Sequence, residues 1–204
     1  MLQKNGHWMK SAKEKMIAGL PYIDSEGKLF KERQYAKEEL KRFNDSEPKQ
    51  LKFRKQIIQK LFKATGTRFF LEPPFRCDYG YNIAIGENFY SNYNCTILDG
   101  APVTIGDNVL FGPNVSLFTA GHPLHFEARN QGWEFALPIV IEDNVWIGGH
   151  VVVNPGVRIG KNSVIGSGSV VTKDIPANVV AAGNPCRVIR NITEADRVTY
   201  NENL

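Results

Sequence analysis

The sequence predicts a mainly β fold: a parallel β-helix of six-residue repeats, with a small helical subdomain in front and one protruding loop. Three observations predict it. A large apolar residue recurs every six positions through the second half of the chain. Glycine and asparagine recur at fixed offsets from that residue. The first 66 residues have another texture, Lys/Glu-rich and helical in period.

Stepping by six from Ile105 gives Phe111 and Leu117. Stepping from Ile141 gives Ile147, Val153, Ile159, Ile165 and Val171. The position after the apolar residue is often glycine: Gly106, Gly112, Gly148, Gly160 and Gly166. Three positions after it stand Asn108, Asn114, Asn144, Gly156, Asn162 and Gly168, interrupted at His150 and Asp174. Four after it stand Val109, Val115, Val145, Val151, Val157, Ser163, Ser169 and Ile175. Glycine and asparagine tolerate positive φ. A corner every six residues explains their recurrence, and three corners close a triangular coil. Each coil buries its inner face only against its neighbours. The repeat length predicts roughly four to five turns over about 80 residues. Ile85 to Phe89 has the same form two residues out of phase, and the Asp99–Pro102 turn is expected to absorb the slip.

The front part reads as three helices. Ser11 and Glu14 form a capping-box pattern, and Gly19 and Pro21 end the helix that follows. Leu29, Arg33, Ala36, Leu40 and Phe43 mark a second amphipathic helix, broken at Asn44 to Pro48. Ser46 is placed to cap a third, with an apolar face of Leu51, Ile58, Leu61 and Phe62 and a stop at Gly66. These helices hold too little apolar surface to fold alone and are expected to pack on the prism. The division expected is residues 1–66 helical, 67–190 β-helix with a loop at 120–137, and 191–204 a tail.

Composition narrows the functional classes. The chain has 204 residues, 42% hydrophobic and 23% charged, so it is neither disordered nor membrane-spanning in composition. No apolar run approaches the roughly 20 residues of a membrane helix, and the N-terminus lacks the apolar core of a signal peptide. Cys77, Cys95 and Cys186 are odd in number, without metal-like spacing, which fits a reducing cytoplasm. Residues 1–66 carry 16 basic and 8 acidic residues, and residues 67–204 carry 9 and 13. The basic front reads as a solvated helical surface. Its lysines are mixed with glutamates, and no nucleic-acid motif accompanies them.

The repeat fails between Thr119 and Pro138, and that segment opens with Gly121, His122 and Pro123. Long excursions from rigid scaffolds carry function. A histidine held between Gly and Pro at a prism edge suits general-base work near neutral pH. Lys173, Arg187 and Arg190 are among the few basic residues after Gly66, and they lie near the last coils.

Thr119 to Pro123, followed by Pro138 to Gly149, closely resembles the maltose, galactoside and related sugar O-acetyltransferases. The likeness covers nearly the whole chain. Met16 to Gly19, Asp24 and Glu32 to Ala36 resemble the family's helical part. Glu72 to Phe75, Cys77 to Gly80, Phe89 to Asn94 and Leu98-Asp99 resemble its acceptor-site strands. Val171 to Pro176 and Gly183 to Arg190 resemble its CoA-binding end. The resemblance implies a left-handed β-helix, a homotrimer with sites between subunits, and acetyl-CoA as co-substrate without a metal. It implies transfer of acetyl to a sugar hydroxyl, with His122 as general base and the backbone N–H of Gly149 as oxyanion donor. Asp24, Asp78, Asn92 and Glu134 would meet the acceptor. Trp146, Gly149, Ser167, Thr172, Lys173, Arg187 and Arg190 would meet CoA. Asn92 also fits a corner, Asp24 a helix cap, and Trp133 either sugar stacking or loop packing. The galactoside enzyme has Ser where Asp78 stands and a second Asp where Gly100 stands, so the resemblance favours a maltose- or glucose-like acceptor. Alternatives are an oligosaccharide or non-sugar acceptor, a non-catalytic scaffold, or a zinc enzyme like the γ-class carbonic anhydrases. The last needs three histidines, and His122, His125 and His150 are poorly spaced for it.

Overall fold

The computed structural model describes residues 10–25 and 27–198. Three helices come first: α1 (Ala12–Ile17), α2 (Lys28–Asn44) and α3 (Leu51–Leu61). The capping box of α1 is formed, with the Glu14 carboxylate accepting from the Ser11 N–H at 2.7 Å. Helix α2 buries Leu29, Ala36, Leu40 and Phe43, the face its spacing predicts. Helix α3 departs from expectation at its start. Gln50 is its N-cap, without a side-chain bond. The Ser46 hydroxyl instead donates to the Phe43 carbonyl and accepts from Arg54. Leu51 is exposed, and the buried face is Arg54, Ile57, Ile58 and Leu61.

The β-helix follows. Its first coil holds β1 (Phe69–Leu71), β2 (Arg76–Cys77) and β3 (Ile83–Ile85). The second holds β4 (Phe89–Ser91), β5 (Thr96–Leu98) and β6 (Val103–Ile105). The third opens with β7 (Leu110–Phe111) and β8 (Ser116–Phe118). There an arm leaves, made of β9 (Ala120–Gly121), α4 (Phe126–Asn130) and β10 (Phe135–Ala136). The coils resume with β11 (Ile139–Ile141), β12 (Trp146–Ile147), β13 (Val152–Val153) and β14 (Arg158–Ile159). They close with β15 (Val164–Ile165), β16 (Val170–Val171) and β17 (Val179–Ala182). Strand β18 (Arg187–Asn191) turns back antiparallel on β17.

Pairing sorts these strands onto three parallel faces. Face 1 stacks β1, β4, β7, β12, β15 and β17; face 2 stacks β2, β5, β8, β13 and β16; face 3 stacks β3, β6, β11 and β14. Six levels on face 1 exceed the four to five turns the repeat predicts. The reason lies in the early coils, which are longer than the repeat. Phe69 pairs with Phe89 and Tyr90 with Leu110, steps of twenty residues, whereas Trp146 to Val164 is eighteen and Val164 to Val180 sixteen. The surplus sits at one edge. Asp99–Pro102 holds it in the second coil, as expected, and Asp78–Asn82 holds it in the first.

The two polar columns have different causes. The asparagines of the third position take positive φ (55° to 61° at Asn94, Asn108, Asn114, Asn144 and Asn162), and His150 at 60° continues the column that its sequence interrupts. The glycines of the first position do not need that conformation. A Cβ at Gly160 would lie 2.5 Å from the Ala177 nitrogen, so contact between coils excludes a side chain there.

The apolar column is buried from Leu71 to Val171 and forms one core with the inner faces of α2 and α3. A second, smaller cluster joins Met16, Tyr22, Leu29, Tyr79, Ala101 and Ala136. It fixes the N-terminal segment to the edge between faces 2 and 3, where the arm leaves.

Candidate functional site

The edge between faces 2 and 3 stacks three irregular corners: Asp78–Asn82, Asp99–Pro102 and the root of the arm. Asp99 holds the first two together. Its carboxylate is fully buried and accepts from the N–H groups of Asp78 (3.0 Å), Tyr79 (2.8 Å) and Gly80 (2.7 Å), with Asn82 at 3.4 Å. Burial pushes this carboxyl up to about 7, while the backbone donors favour the anion. The corner it braces presents Asp78, whose side chain has no ion pair or hydrogen bond among the described residues. Burial raises the Asp78 carboxyl, with Arg33 and Lys37 pulling it down and Glu134 pushing it up. Next to it, Arg33 donates to the Tyr79 hydroxyl at 2.6 Å.

The arm brings its own groups to this edge. Its root is the β9–β10 ladder, with Phe135 opposite Gly121 and Ala136 opposite Ala120. Just beyond, His122 Nδ1 lies 3.3 Å from the Trp133 carbonyl oxygen. A carbonyl only accepts, so this bond places the proton on Nδ1 and leaves Nε2 with its lone pair. The ring is exposed to solvent. Trp133 therefore contributes its main chain to the histidine. Glu134 follows, with one carboxylate oxygen accepting from the Tyr22 hydroxyl at 2.7 Å. Asp24 lies two residues from Tyr22. One of its oxygens accepts from the Phe30 N–H at 3.0 Å, in the first turn of α2, and its Oδ1 is buried without a partner among the described residues. It thus caps a helix and keeps one acceptor free. A groove of about 750 Å³ runs from Asp78 between α2 and face 2, past Lys37, Asn44, Arg76 and Thr96.

Other candidates sit elsewhere. Asn92 lies at the edge between faces 1 and 2, where its side chain accepts from the Tyr93 N–H at 2.8 Å. The positive-φ corner belongs to Asn94 instead. Gly149 is on that same edge, two coils along. Its carbonyl accepts from Gly168 at 2.9 Å, and its N–H has no acceptor among the described residues. His150 beside it accepts at Nε2 from the Asn114 amide at 3.3 Å. Ser167 is one coil further, and Trp146 stands outward and exposed on face 1. Gly149, Ser167 and Trp146, three of the candidates for CoA contact, share one side of the prism. Thr172 and Lys173 are exposed after β16, at the far edge of face 2. Arg187 and Arg190 lie on β18, where Arg190 is held in a two-pronged pair by Asp196 at 2.7 and 2.8 Å. Within one chain, then, His122, Asp78, Glu134 and Asp24 gather at one edge of face 2, and Gly149 and Asn92 at the other. At about 3.3 Å per residue, the strand between these edges sets them roughly 15 Å apart. Sequence reasoning missed Tyr22, Arg33 and the positioning role of Asp99. Tyr22 pairs with Glu134 across 112 residues, a distance no local pattern bridges.

Comparisons with known proteins place this geometry. The maltose acetyltransferase hexapeptide capping motif matches residues 15–66, the bacterial transferase hexapeptide matches 138–173, and the hexapeptide repeat of succinyl-transferase matches 102–121. The galactoside O-acetyltransferase of Escherichia coli K12 is 51% identical over 187 residues, covering 92% of each chain. The chain belongs to the galactoside/maltose O-acetyltransferase family. Among solved structures, a maltose O-acetyltransferase from Clostridium difficile 630 superposes with a TM-score of 0.89 at 50% identity, covering 91% of this chain and 99% of its own. A galactoside acetyltransferase in complex with coenzyme A also gives 0.89 at 50% identity, covering 96% and 98%. Family membership makes the chain an acetyltransferase of the hexapeptide-repeat type. Among the described residues, no helix is long and apolar enough to cross a membrane.

Proposed function

We propose that this acetyltransferase moves the acetyl group of acetyl-CoA to a hydroxyl of a mono- or disaccharide, with His122 as general base. The observation that carries the reading is the His122–Trp133 bond. It orients the ring and leaves Nε2 basic and open to solvent. A sugar hydroxyl is a poor nucleophile at neutral pH. Nε2 takes its proton as the oxygen attacks the thioester carbonyl, and the imidazolium returns that proton to the departing CoA sulfur. The tetrahedral oxyanion requires a donor, and the unengaged N–H of Gly149 supplies one. Asp78, Glu134 and Asp24 hold acceptor hydroxyls, since a carboxylate accepts from more than one.

Base and oxyanion donor lie on opposite edges of face 2, so a complete site joins two copies. The family resemblance gives the arrangement as a homotrimer, with Asn92, Trp146, Gly149 and Ser167 facing the neighbour's His122. Lys173, Arg187 and Arg190 serve the CoA phosphates, Arg190 after exchanging Asp196 for phosphate. Thr172 adds a hydroxyl beside Lys173. The three cysteines are all buried as free thiols, in keeping with a cytoplasmic protein. No metal or nucleic acid enters the scheme.

A maltose- or glucose-like acceptor is favoured over a galactoside by Asp78 and Gly100. A Cβ at position 100 would press to 3.2 Å from the Ala136 Cβ at the arm's root, so a larger residue there would move the arm. Free-thiol release from acetyl-CoA against glucose, maltose, a β-galactoside and a chitin oligomer tests the reading. Sugar-dependent release that His122→Ala abolishes is the expected result. CoA binding without release on any sugar sinks it in favour of a non-sugar acceptor or a scaffold.

A further inference from the structure

The arm that carries His122 has little to hold it. None of its residues from His122 to Phe135 is buried, and α4 buries nothing. Its internal bonds tie it to itself: Trp133 N–H to the Ala128 carbonyl, and Arg129 to the carbonyls of Pro123 and Leu124. Beyond its root, the hydrogen bonds that leave the arm among the described residues go to Tyr22. Tyr22 and Glu134 exchange both main-chain N–H···O bonds at 3.0 Å, an antiparallel bridge. The Tyr22 hydroxyl adds its bond to the Glu134 carboxylate at 2.7 Å. The residue before Glu134 is Trp133, whose carbonyl accepts from His122. The Tyr22 ring is buried with Tyr79 and Ala101, in the corners next to Asp78 and Asp99.

We propose that Tyr22 is a positioning residue. It fixes the Glu134 carboxylate and the chain that carries the Trp133 carbonyl, so that acceptor ligand and base are held in one register. The inference rests on the acetyltransferase reading above. The N-terminal segment thereby acts as the clamp of the arm as well as a cover on the prism. One oxygen of Glu134 is committed to Tyr22, and the other is left for an acceptor hydroxyl.

Tyr22→Phe is the selective test. It keeps the buried ring and the backbone bridge and removes only the hydroxyl. Steady-state kinetics on the intact protein should show the acceptor KM raised roughly tenfold, the size of one charge-assisted hydrogen bond. The acetyl-CoA KM and the melting temperature should hardly move. If Tyr22 acts through Glu134, Tyr22→Phe combined with Glu134→Gln should be no worse than Glu134→Gln alone. An unchanged acceptor KM with a lowered melting temperature would show a merely structural tyrosine and overturn the proposal. Additive losses in the double variant would do the same. If the unaltered protein releases no thiol with any sugar, the sugar-acceptor reading falls and takes the proposal with it. Sugar-dependent release by that protein, with no acceptor KM effect in Tyr22→Phe, overturns the proposal alone.

Discussion

Two edges of the prism are made from the same six-residue repeat and have diverged in opposite directions. The edge between faces 3 and 1 is regular from end to end. Asn88, Asn108, Asn144, Asn162 and Asn178 stack along it, each amide donating to the next at 2.8 to 3.2 Å. Asp107 and Asp143 cap the N–H groups of the preceding coil. The edge between faces 2 and 3 has surplus residues in two coils and an arm in the third. Its polar groups form no continuous ladder: Asp99 and Thr119 bridge neighbouring coils, Asp78 has no side-chain partner among the described residues, and His122 keeps Nε2 open. A ladder that satisfies every corner in the same way leaves no group free for a substrate. The irregular corners leave several free, and the buried Asp99 carboxylate braces them.

This contrast predicts how each edge responds to damage. The largest effect should come at the irregular edge: His122→Ala should lower kcat about 10²- to 10⁴-fold. Its thermal unfolding should stay near that of the unaltered protein, because the exposed ring has one bond to lose. The regular edge should show the reverse. Gly160→Ala forces a methyl against the Ala177 backbone and should cost about 1–3 kcal/mol in denaturant unfolding, with kcat per folded molecule unchanged. Asp99→Asn sits between the two cases. It removes one of two accepting oxygens from four backbone donors and should cost about 2 kcal/mol, and it should also raise the acceptor KM by loosening Asp78. A variant as stable as its parent would show that Asp99 braces nothing. Asn144→Ala should lose about 1 kcal/mol, from its positive φ and two ladder bonds, without a kinetic effect.

The smallest effect expected is a pH limb at the regular edge. Glu87 is held down to about 2 by the Thr67 hydroxyl and by the N–H groups of Thr67 and Arg68. An unfolded glutamate titrates near about 4.3. The folded value is the lower one, so the contribution is present above about pH 4 and is lost as pH falls toward 2. Melting temperature followed from pH 5 to 2 should therefore fall less steeply in Glu87→Gln.

What was legible in the sequence follows the same division. The prism was legible because its cause is periodic: Ile141 through Val171 must face inward at every sixth residue, and they do. The first coil was missed in counting turns because its inward residues, Leu71, Cys77 and Ile85, are spaced by six and then eight. The cap of α3 was misread because Ser46 finds better partners in Phe43 and Arg54. At the site, His122 stood out by its Gly and Pro neighbours and by the broken repeat. The acidic candidates were carried by family likeness, and four of the named residues gather at one edge. Tyr22 had no signal, because its meaning comes from a contact across 112 residues.

Strand β18 bears on a different matter. A stack of like parallel rungs has no built-in end, since the last rung offers the next molecule the same edge it offered its own chain. Here the last rung of face 1, β17, is met by a strand of opposite polarity, with Val179 against Asn191 and Ala182 against Arg187. At the opposite end, Lys63 and Gly66 donate to the Ile83 and Ile85 carbonyls and occupy the first rung of face 3. At each end, then, one face of the stack meets chain that departs from the repeat, and that rung is withheld from end-to-end pairing with another molecule.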